Sequence, residues 1–335
     1  MKPVLVTGGA GYIGSHTCKN LLANGFLPIT YDNLSNGFEE FVKWGPLEVG
    51  DILDKDKLNF VINKYQPVAT IHFAAFAYVG ESMQEPLKYY KNNIAGTINL
   101  VNALCENGIK NFIFSSTCAT YGTPDNNKKI SEDSVQKPIN PYGFTKLAIE
   151  HLLKDLHACQ KINFVNLRYF NAAGADVQGE IGESHDPETH LIPLAIRSVF
   201  DPGFILSVYG SNYNTPDGTA VRDYIHVTDL ADAHCKAMNY LMQGNQSTSL
   251  NLGTGTGLSV LEILKGISGL GFEPKYNLVG NREGDPEYLV ADASKALEVL
   301  GWKPEHSSLN SILNSAINWY QKSSLWTYIR SACIL

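Results

Sequence analysis

Several features that would assign this chain to a particular class of protein are missing. The sequence has no Cys-x-x-Cys pair, and its six cysteines are scattered, which argues against a disulfide framework or a cysteine zinc site and predicts thiols in a reducing compartment. No apolar run approaches the roughly 20 residues of a membrane helix. The strand-like "KPVLVT" begins at residue 2 and leaves no room for a signal peptide, so we expect a cytoplasmic protein without membrane partners.

Basic residues are also fewer than acidic residues. The 26 Lys and Arg residues against 33 Asp and Glu give a formal net charge of −7, which argues against a nucleic-acid partner. The chain is 44% hydrophobic and 18% charged over 335 residues, a composition typical of a compact globular protein with one large or two ordinary domains.

Strands and helices alternate repeatedly through the first half. Apolar strands are predicted at 4–6, 27–31, 68–75, 111–116 and 162–168, with helices after 12, over 54–65, 87–106 and 142–158. This alternation predicts an α/β fold of the Rossmann type, a doubly wound parallel sheet. Loops dominate after about residue 172, so we expect an NAD-binding domain over 1–172 and a smaller mixed α/β substrate domain over 173–335. Part of the latter, about 220–245, could pack back on the first domain.

A glycine-rich turn follows the first strand. Gly8, Gly11 and Gly14 have the spacing G-x-x-G-x-x-G between a strand and a helix, which is typical of a turn that brings a pyrophosphate to a helix N-terminus. Asp32 ends the second strand, where a carboxylate binds ribose hydroxyls and repels a 2′-phosphate. The pattern predicts NAD rather than NADP as the cofactor.

Tyr142 and Lys146 are four residues apart in a predicted helix and therefore share one face. A free tyrosine titrates near pH 10, but a neighbouring ammonium and the positive nicotinamide ring would favour the phenolate. The pair is a candidate base with its supporting lysine.

In this α/β setting the pair resembles the catalytic set of the short-chain dehydrogenase/reductase superfamily, and the long second half resembles its extended branch. Ten motifs narrow the likeness to the UDP-glucose 4-epimerase family. They occur in this order: "VTGGAGYIGSHT", "DNLSNG", "HFAAFAYVGES", "YYKNNIAGT", "FSSTCATYG", "NPYGFTK", "LRYFNAAGA", "DGTAVRDYIHV", "NLGTG" and "REGDPEYLVAD". The resemblance implies reversible 4-epimerisation of UDP-glucose and UDP-galactose through a 4-keto intermediate, with transient reduction of tightly bound NAD, in a homodimer.

The resemblance also implies roles for individual residues. Tyr142 would be the base, Lys146 its partner, and Thr117 would hydrogen-bond the reacting oxygen. The residues expected to border NAD are Gly8, Gly11, Tyr12, Ile13, Gly14, Asp32, Asn33, Leu34, Ser35, Asn36, Gly37, Asp51, Ile52, Phe73, Ala74, Ala75, Asn92, Lys146, Tyr169 and Phe170. Those expected to hold the UDP-sugar are Thr117, Tyr142, Asn171, His190, Leu191, Ser207, Val208, Tyr209, Arg222, Tyr224, Arg282, Asp285 and Leu289.

Related activities differ at a few positions. Sugar 4,6-dehydratases carry an Asp-Glu pair after the threonine, where this chain has Cys118 and Ala119, and a non-catalytic NAD sensor would generally lack the Tyr-x-x-x-Lys pair. Leu289 aligns with the position that gates the sugar 2-substituent, and leucine is intermediate in size. A 4-epimerase acting mainly or additionally on UDP-xylose/UDP-arabinose or UDP-GlcNAc/UDP-GalNAc therefore stays open as an alternative.

One loop is rich in metal-ligand residue types. It carries Glu183, His185, Asp186, Glu188 and His190, but without a regular ligand spacing. The sequence therefore predicts no metal site.

Overall fold

A computed structural model describes residues 1–124, 128–281 and 286–323. The strands are β1 (Lys2–Thr7), β2 (Phe26–Asp32), β3 (Leu47–Val49), β4 (Ala69–His72), β5 (Asn111–Thr117), β6 (Asn163–Tyr169), β7 (Asn171–Ala173), β8 (Leu206–Tyr209), β9 (Val221–His226), β10 (Thr248–Leu252), β11 (Gly257–Ser259), β12 (Tyr276–Val279) and β13 (Tyr288–Leu289). The α-helices are α1 (Tyr12–Ala23), α2 (Lys55–Tyr65), α3 (Val79–Gln84), α4 (Pro86–Tyr89), α5 (Thr97–Glu106), α6 (Pro141–Ala158), α7 (Leu191–Phe200), α8 (Val227–Met242), α9 (Val260–Gly269), α10 (Ser294–Leu300) and α11 (Leu309–Lys322).

The first layer is a seven-stranded sheet whose strands all run parallel. Its order is β10-β6-β5-β4-β1-β2-β3, and the part from β3 to β6 has the 3-2-1-4-5-6 order of a Rossmann sheet. The predicted doubly wound α/β fold is confirmed. The strand order reverses between β1 and β4. In such sheets ligands bind in the crevice at the carboxyl ends of the strands, at the point of reversal.

Several helices begin where the sequence supplies a capping side chain. The Asp54 carboxylate accepts a hydrogen bond from Lys57 N at the start of α2, and Asn140 Oδ1 accepts one from Gly143 N at 2.8 Å at the start of α6. Each side chain satisfies a backbone N–H that has no partner within the helix. Both predicted helix starts are confirmed.

The segment 87–106, predicted as one amphipathic helix, is divided by a π-helical stretch, Tyr90–Gly96. Within it the buried Asn93 side chain accepts a hydrogen bond from Phe76 N and donates one to Phe76 O. The π-helical stretch is only 7 residues long, so the apolar spacing of the whole segment still matched an α-helix and did not reveal the change. π-Helical turns often mark functional sites.

Apolar side chains cover both faces of the large sheet. Leu21, Leu230 and Met238 lie in the core on one face, and Leu58 and Leu100 lie in the core on the other. Helix α8 packs against α1, and β10 is an edge strand of this sheet, so residues well beyond 172 are part of this layer.

A second core lies among α7, α9, α11, β8 and β9. Three short strands flank β9 there: β11 antiparallel, and β7 and β13 parallel. We propose a domain division near residue 172, with α8 and β10 returning to the NAD-binding side. In the described parts of the chain, no helix is long and apolar enough to cross a membrane.

Candidate active site

The glycine turn between β1 and α1 has little room for side chains. Gly8 has a φ of +74°, and a Cβ there would lie 2.6 Å from Ala74 N. A Cβ on Gly14 would collide with Gly8 O. Gly11 is the N-cap of α1, so no capping side chain accepts hydrogen bonds from the first N–H groups of this helix. An anionic pyrophosphate fits such a site.

Asp32 holds the neighbouring loop in place. Its Oδ2 accepts a hydrogen bond from Ala10 N at 3.0 Å, and its Oδ1 accepts one from Leu34 N at 2.9 Å. Burial raises the pKa of Asp32, and the two backbone N–H groups oppose that rise. The carboxylate lies at the carboxyl end of β2, where a ribose would bind.

The residues expected at NAD cluster at one edge of the large sheet. Apart from Asn92 in the π-helical stretch and Lys146 in α6, they lie at or just after the carboxyl ends of β1, β2, β3, β4 and β6. The Tyr12 side chain turns away, since its hydroxyl donates a hydrogen bond to Gly174 O at 2.6 Å. A role for Tyr12 at the cofactor would therefore come from its backbone N–H.

The catalytic candidates meet where β5 and α6 adjoin. Thr117, the last residue of β5, adjoins Tyr142 in the first turn of α6, close enough for its side chain to influence the phenol through hydrogen bonding. The Lys146 Nζ lies 5.9 Å from the centre of the Tyr142 ring and donates a hydrogen bond to Ser115 O at 2.8 Å. Thr117 Oγ1 also accepts a hydrogen bond from Ala119 N at 3.1 Å, which leaves its own O–H free to donate.

Burial controls the protonation of this pair. It raises the pKa of Tyr142, with Tyr169 adding to the rise and the Thr117 hydrogen bond opposing it. Burial also lowers the pKa of Lys146 to about 7. Attraction between ammonium and phenolate is thus opposed by the loss of hydration, which disfavours both charged forms and is not visible in the sequence.

Strand register brings the substrate candidates together. Asn171 in β7 pairs with Tyr224 in β9, and Leu289 in β13 pairs with Arg222 in β9. Leu289 also packs on the apolar cluster that includes Phe170.

The remaining substrate candidates lie on neighbouring elements. Ser207, Val208 and Tyr209 are in β8, and His190 and Leu191 are at the start of α7. Arg282 and Asp285 fall outside the described residues.

Comparison with known proteins agrees with this geometry. Residues 4–253 match the family model described as the NAD dependent epimerase/dehydratase family. The chain belongs to this family. Its relatives include the UDP-glucose 4-epimerase of Rhizobium meliloti, 53% identical over 95% of this chain and 97% of that protein.

Two solved structures from the same family show the likeness in three dimensions. The UDP-glucose 4-epimerase of Brucella ovis in complex with NAD is 50% identical and has a TM-score of 0.92, covering 95% of this chain and 98% of that one. The UDP-glucose-4-epimerase of Stenotrophomonas maltophila, with bound NAD and formylated UDP-arabinopyranose, is 36% identical, with a TM-score of 0.93 over 99% of this chain and 100% of that one.

A buried polar network next to the glycine turn between β1 and α1 was not predicted from the sequence. His72 Nδ1 lies 2.6 Å from Thr7 Oγ1, and His72 Nε2 lies 2.8 Å from Thr97 Oγ1. Burial lowers the pKa of His72 to about 3, so the ring stays neutral, as expected of a core histidine. Thr7, at the end of the first strand, was the available signal because it places a hydroxyl next to the glycine turn.

The structure also gathers four of the five acidic and histidine residues of the 183–190 loop. One ligand atom from each of Glu183, His185, Glu188 and His190 lies within 4.8 Å of the others. The carboxylates raise the pKa of His185 to about 9 against the opposing effect of burial, and the two histidines lower the pKa of Glu188 although burial alone would raise it.

Proposed function

We propose that this protein is a UDP-glucose 4-epimerase that interconverts UDP-glucose and UDP-galactose. The supporting observation is the meeting of Tyr142, Thr117 and Lys146 at the carboxyl edge of a Rossmann sheet, together with relatives over nearly the full length that are named UDP-glucose 4-epimerases. The residues fit NAD, because α1 begins at Gly11 without a capping side chain, which leaves the helix N-terminus for a pyrophosphate. Bound NAD supplies the acceptor, and later the donor, for the hydride of sugar carbon 4.

The side chains divide the proton chemistry between them. Tyr142 takes the proton of the sugar 4-hydroxyl and returns it after the 4-keto sugar has rotated to present its other face. Thr117 donates a hydrogen bond to the same oxygen. Lys146 is fixed by Ser115 O, so its charge lies near the Tyr142 ring and favours the phenolate once a sugar and cofactor fill the site.

The residue after Thr117 separates epimerisation from elimination. Burial raises the pKa of the Cys118 thiol to about 12, so it is a poor acid and a poor base at neutral pH. Ala119 has no ionisable side chain. With no acid or base to expel the 6-hydroxyl, the 4-keto intermediate is reduced at its other face.

The UDP-sugar is proposed to lie across β9. The proposed contacts on these strands are Arg222 and Tyr224 of β9 and Asn171 of β7, which pairs with Tyr224. His190, Leu191 and residues 207–209 are proposed to surround the rest of the ligand. A guanidinium suits a pyrophosphate because it donates paired N–H groups.

We also propose a homodimer. Leu87 on α4 is 83% exposed and Phe144 on α6 is 47% exposed. Tyr90 in the π-helical stretch and Ile98 on α5 are partly exposed as well. Such an apolar surface is typical of an interface between subunits. A cytoplasmic location is likewise a proposal, supported by the free cysteines in the described residues.

The function is tested by incubating purified protein with UDP-galactose and no added cofactor. We expect UDP-glucose to form until equilibrium, with no net accumulation of NADH. UDP-arabinose and UDP-GalNAc, assayed beside it, rank the alternative substrates. Faster turnover of either one than of UDP-galactose would overturn the proposed preference, and no turnover of any would overturn the proposed activity.

Leu289 is expected to set the tolerance for a 2-N-acetyl group, because it packs beside Cys118 and Phe170 next to Thr117. Leu289→Ala should raise the ratio of kcat/KM for UDP-GalNAc to that for UDP-galactose by roughly tenfold, and Leu289→Tyr should lower it by a similar factor. Leu297→Tyr, on the exposed side of α10, is the control and should leave the ratio unchanged. An unchanged ratio in both Leu289 variants would show that the gate lies elsewhere.

A further inference from the structure

The four-residue cluster of Glu183, His185, Glu188 and His190 lies outside the proton chemistry proposed above. The Glu183 and Glu188 side chains are only 7% and 4% exposed. Two carboxylates so deeply buried require compensating positive charge.

Two atoms of this cluster lack hydrogen-bond partners. Glu188 Oε1 accepts hydrogen bonds from Thr189 N, His190 N and the His190 ring, whereas the buried Glu188 Oε2 accepts none. The buried His185 Nδ1 is also without a hydrogen bond, although it lies 3.6 Å from Glu188 Oε2 and 3.2 Å from Glu183 Oε1. Unsatisfied buried polar atoms are rare in folded proteins and commonly indicate a missing ion or water.

We propose that Glu183, His185, Glu188 and His190 bind one divalent transition-metal cation of the zinc class. Zinc bonds of about 2.0–2.2 Å in a tetrahedron place neighbouring ligand atoms about 3.4 Å apart. In the cluster, the four His–Glu separations between Nδ1 and carboxylate oxygen atoms run from 2.8 to 3.6 Å. Because all four ligand atoms lie within 4.8 Å of one another, a small adjustment of the loop would complete the coordination.

The donor types select the metal. Two imidazole nitrogens with two carboxylate oxygens suit Zn²⁺ and its neighbours in the first transition row, whereas Mg²⁺ and Ca²⁺ prefer oxygen ligands only. The cation would neutralise both buried carboxylates and would displace protons from the histidines, so protons and metal compete for the site.

The surroundings suggest what the metal would do. His185 packs edge-on against the Tyr12 and Tyr78 rings, which belong to the NAD-binding side. His190 is the N-cap of α7, at the proposed sugar site. A cation would thus fix the 183–190 loop between the two sides. This positioning role goes beyond the proposed function, and metal binding itself does not depend on it.

The test is metal binding to the NAD-loaded protein after chelation and dialysis. Calorimetric titration with Zn²⁺ should show one site per chain, and Co²⁺ should give the visible absorption of a tetrahedral complex. Glu188→Gln, which removes the charge next to the unpartnered oxygen, should weaken Zn²⁺ binding at least tenfold, and His185→Asn should do the same. Far-ultraviolet circular dichroism and NAD content identify any variant that fails to fold.

The matched control is His151→Asn, because His151 is an exposed histidine on α6 away from the cluster. It should bind Zn²⁺ as the wild type does. Absence of a stoichiometric Zn²⁺ site in the wild-type protein would overturn the proposal. Equal affinity in wild type, Glu188→Gln and His185→Asn would overturn it too, since binding would then lie at surface residues.

Discussion

Replacing Tyr142 with phenylalanine is expected to lower kcat for UDP-galactose by roughly 10²- to 10⁴-fold, the range for loss of a general acid–base group. The substitution removes only the phenolic hydroxyl beside Thr117, and the ring keeps its place near Lys146. The affinity for UDP, measured by calorimetry, should stay within a few fold of the wild-type value because the variant leaves the nucleotide contacts intact.

Tyr65→Phe is the control for this result. It also removes a single phenolic hydroxyl, one that donates to Glu48 Oε1 at 2.9 Å on the surface of the Rossmann sheet, and turnover should not change. Near-normal turnover in Tyr142→Phe would show that another group moves the proton.

The largest effect on stability is expected at the ion pair between Glu150 and Arg168, whose side chains are 0% and 3% exposed. Two guanidinium N–H groups donate to the carboxylate at 2.9 and 2.6 Å, and Ser116 Oγ adds a third hydrogen bond at 2.6 Å. Glu150→Ala leaves the Arg168 charge buried without its partner. The free energy of unfolding, measured with urea, should fall by about 3–5 kcal/mol.

Two variants show whether burial is the cause. Asp232→Ala breaks the exposed pair between Asp232 and Lys236, which are 2.9 Å apart on α8, and should cost no more than about 0.5 kcal/mol. The double variant Glu150→Leu/Arg168→Met removes both buried charges and should recover much of the loss. A cost for Glu150→Ala as small as that for Asp232→Ala would contradict the argument.

The parts of the fold that depend on local chemistry were predictable from the sequence. The glycine turn needs Gly8 at a positive φ, and the caps Asp54 and Asn140 begin helices through their own side chains. Each of these signals lies within a few residues of its effect. For the same reason Asp32 could be assigned to the end of its strand.

Features that join distant parts of the chain were not predictable in this way. Glu150 and Arg168 lie on a helix and a strand whose packing decides that they meet. The pairing of Leu289 with Arg222 depends on the register of a two-residue strand. The side chains of the 183–190 cluster meet through the conformation of their loop. The spacing of the Glu and His residues along the sequence does not reveal that conformation.

In the proposed reaction the hydrogen on carbon 4 leaves and returns within a single sugar. The direct measurement uses UDP-galactose carrying deuterium at carbon 4, converted by the purified protein in ordinary water and analysed by NMR and mass spectrometry. The UDP-glucose formed is expected to keep the deuterium at carbon 4, because the hydrogen removed from one face returns to the other face of the same carbon. UDP-glucose with hydrogen from water at carbon 4 would contradict it.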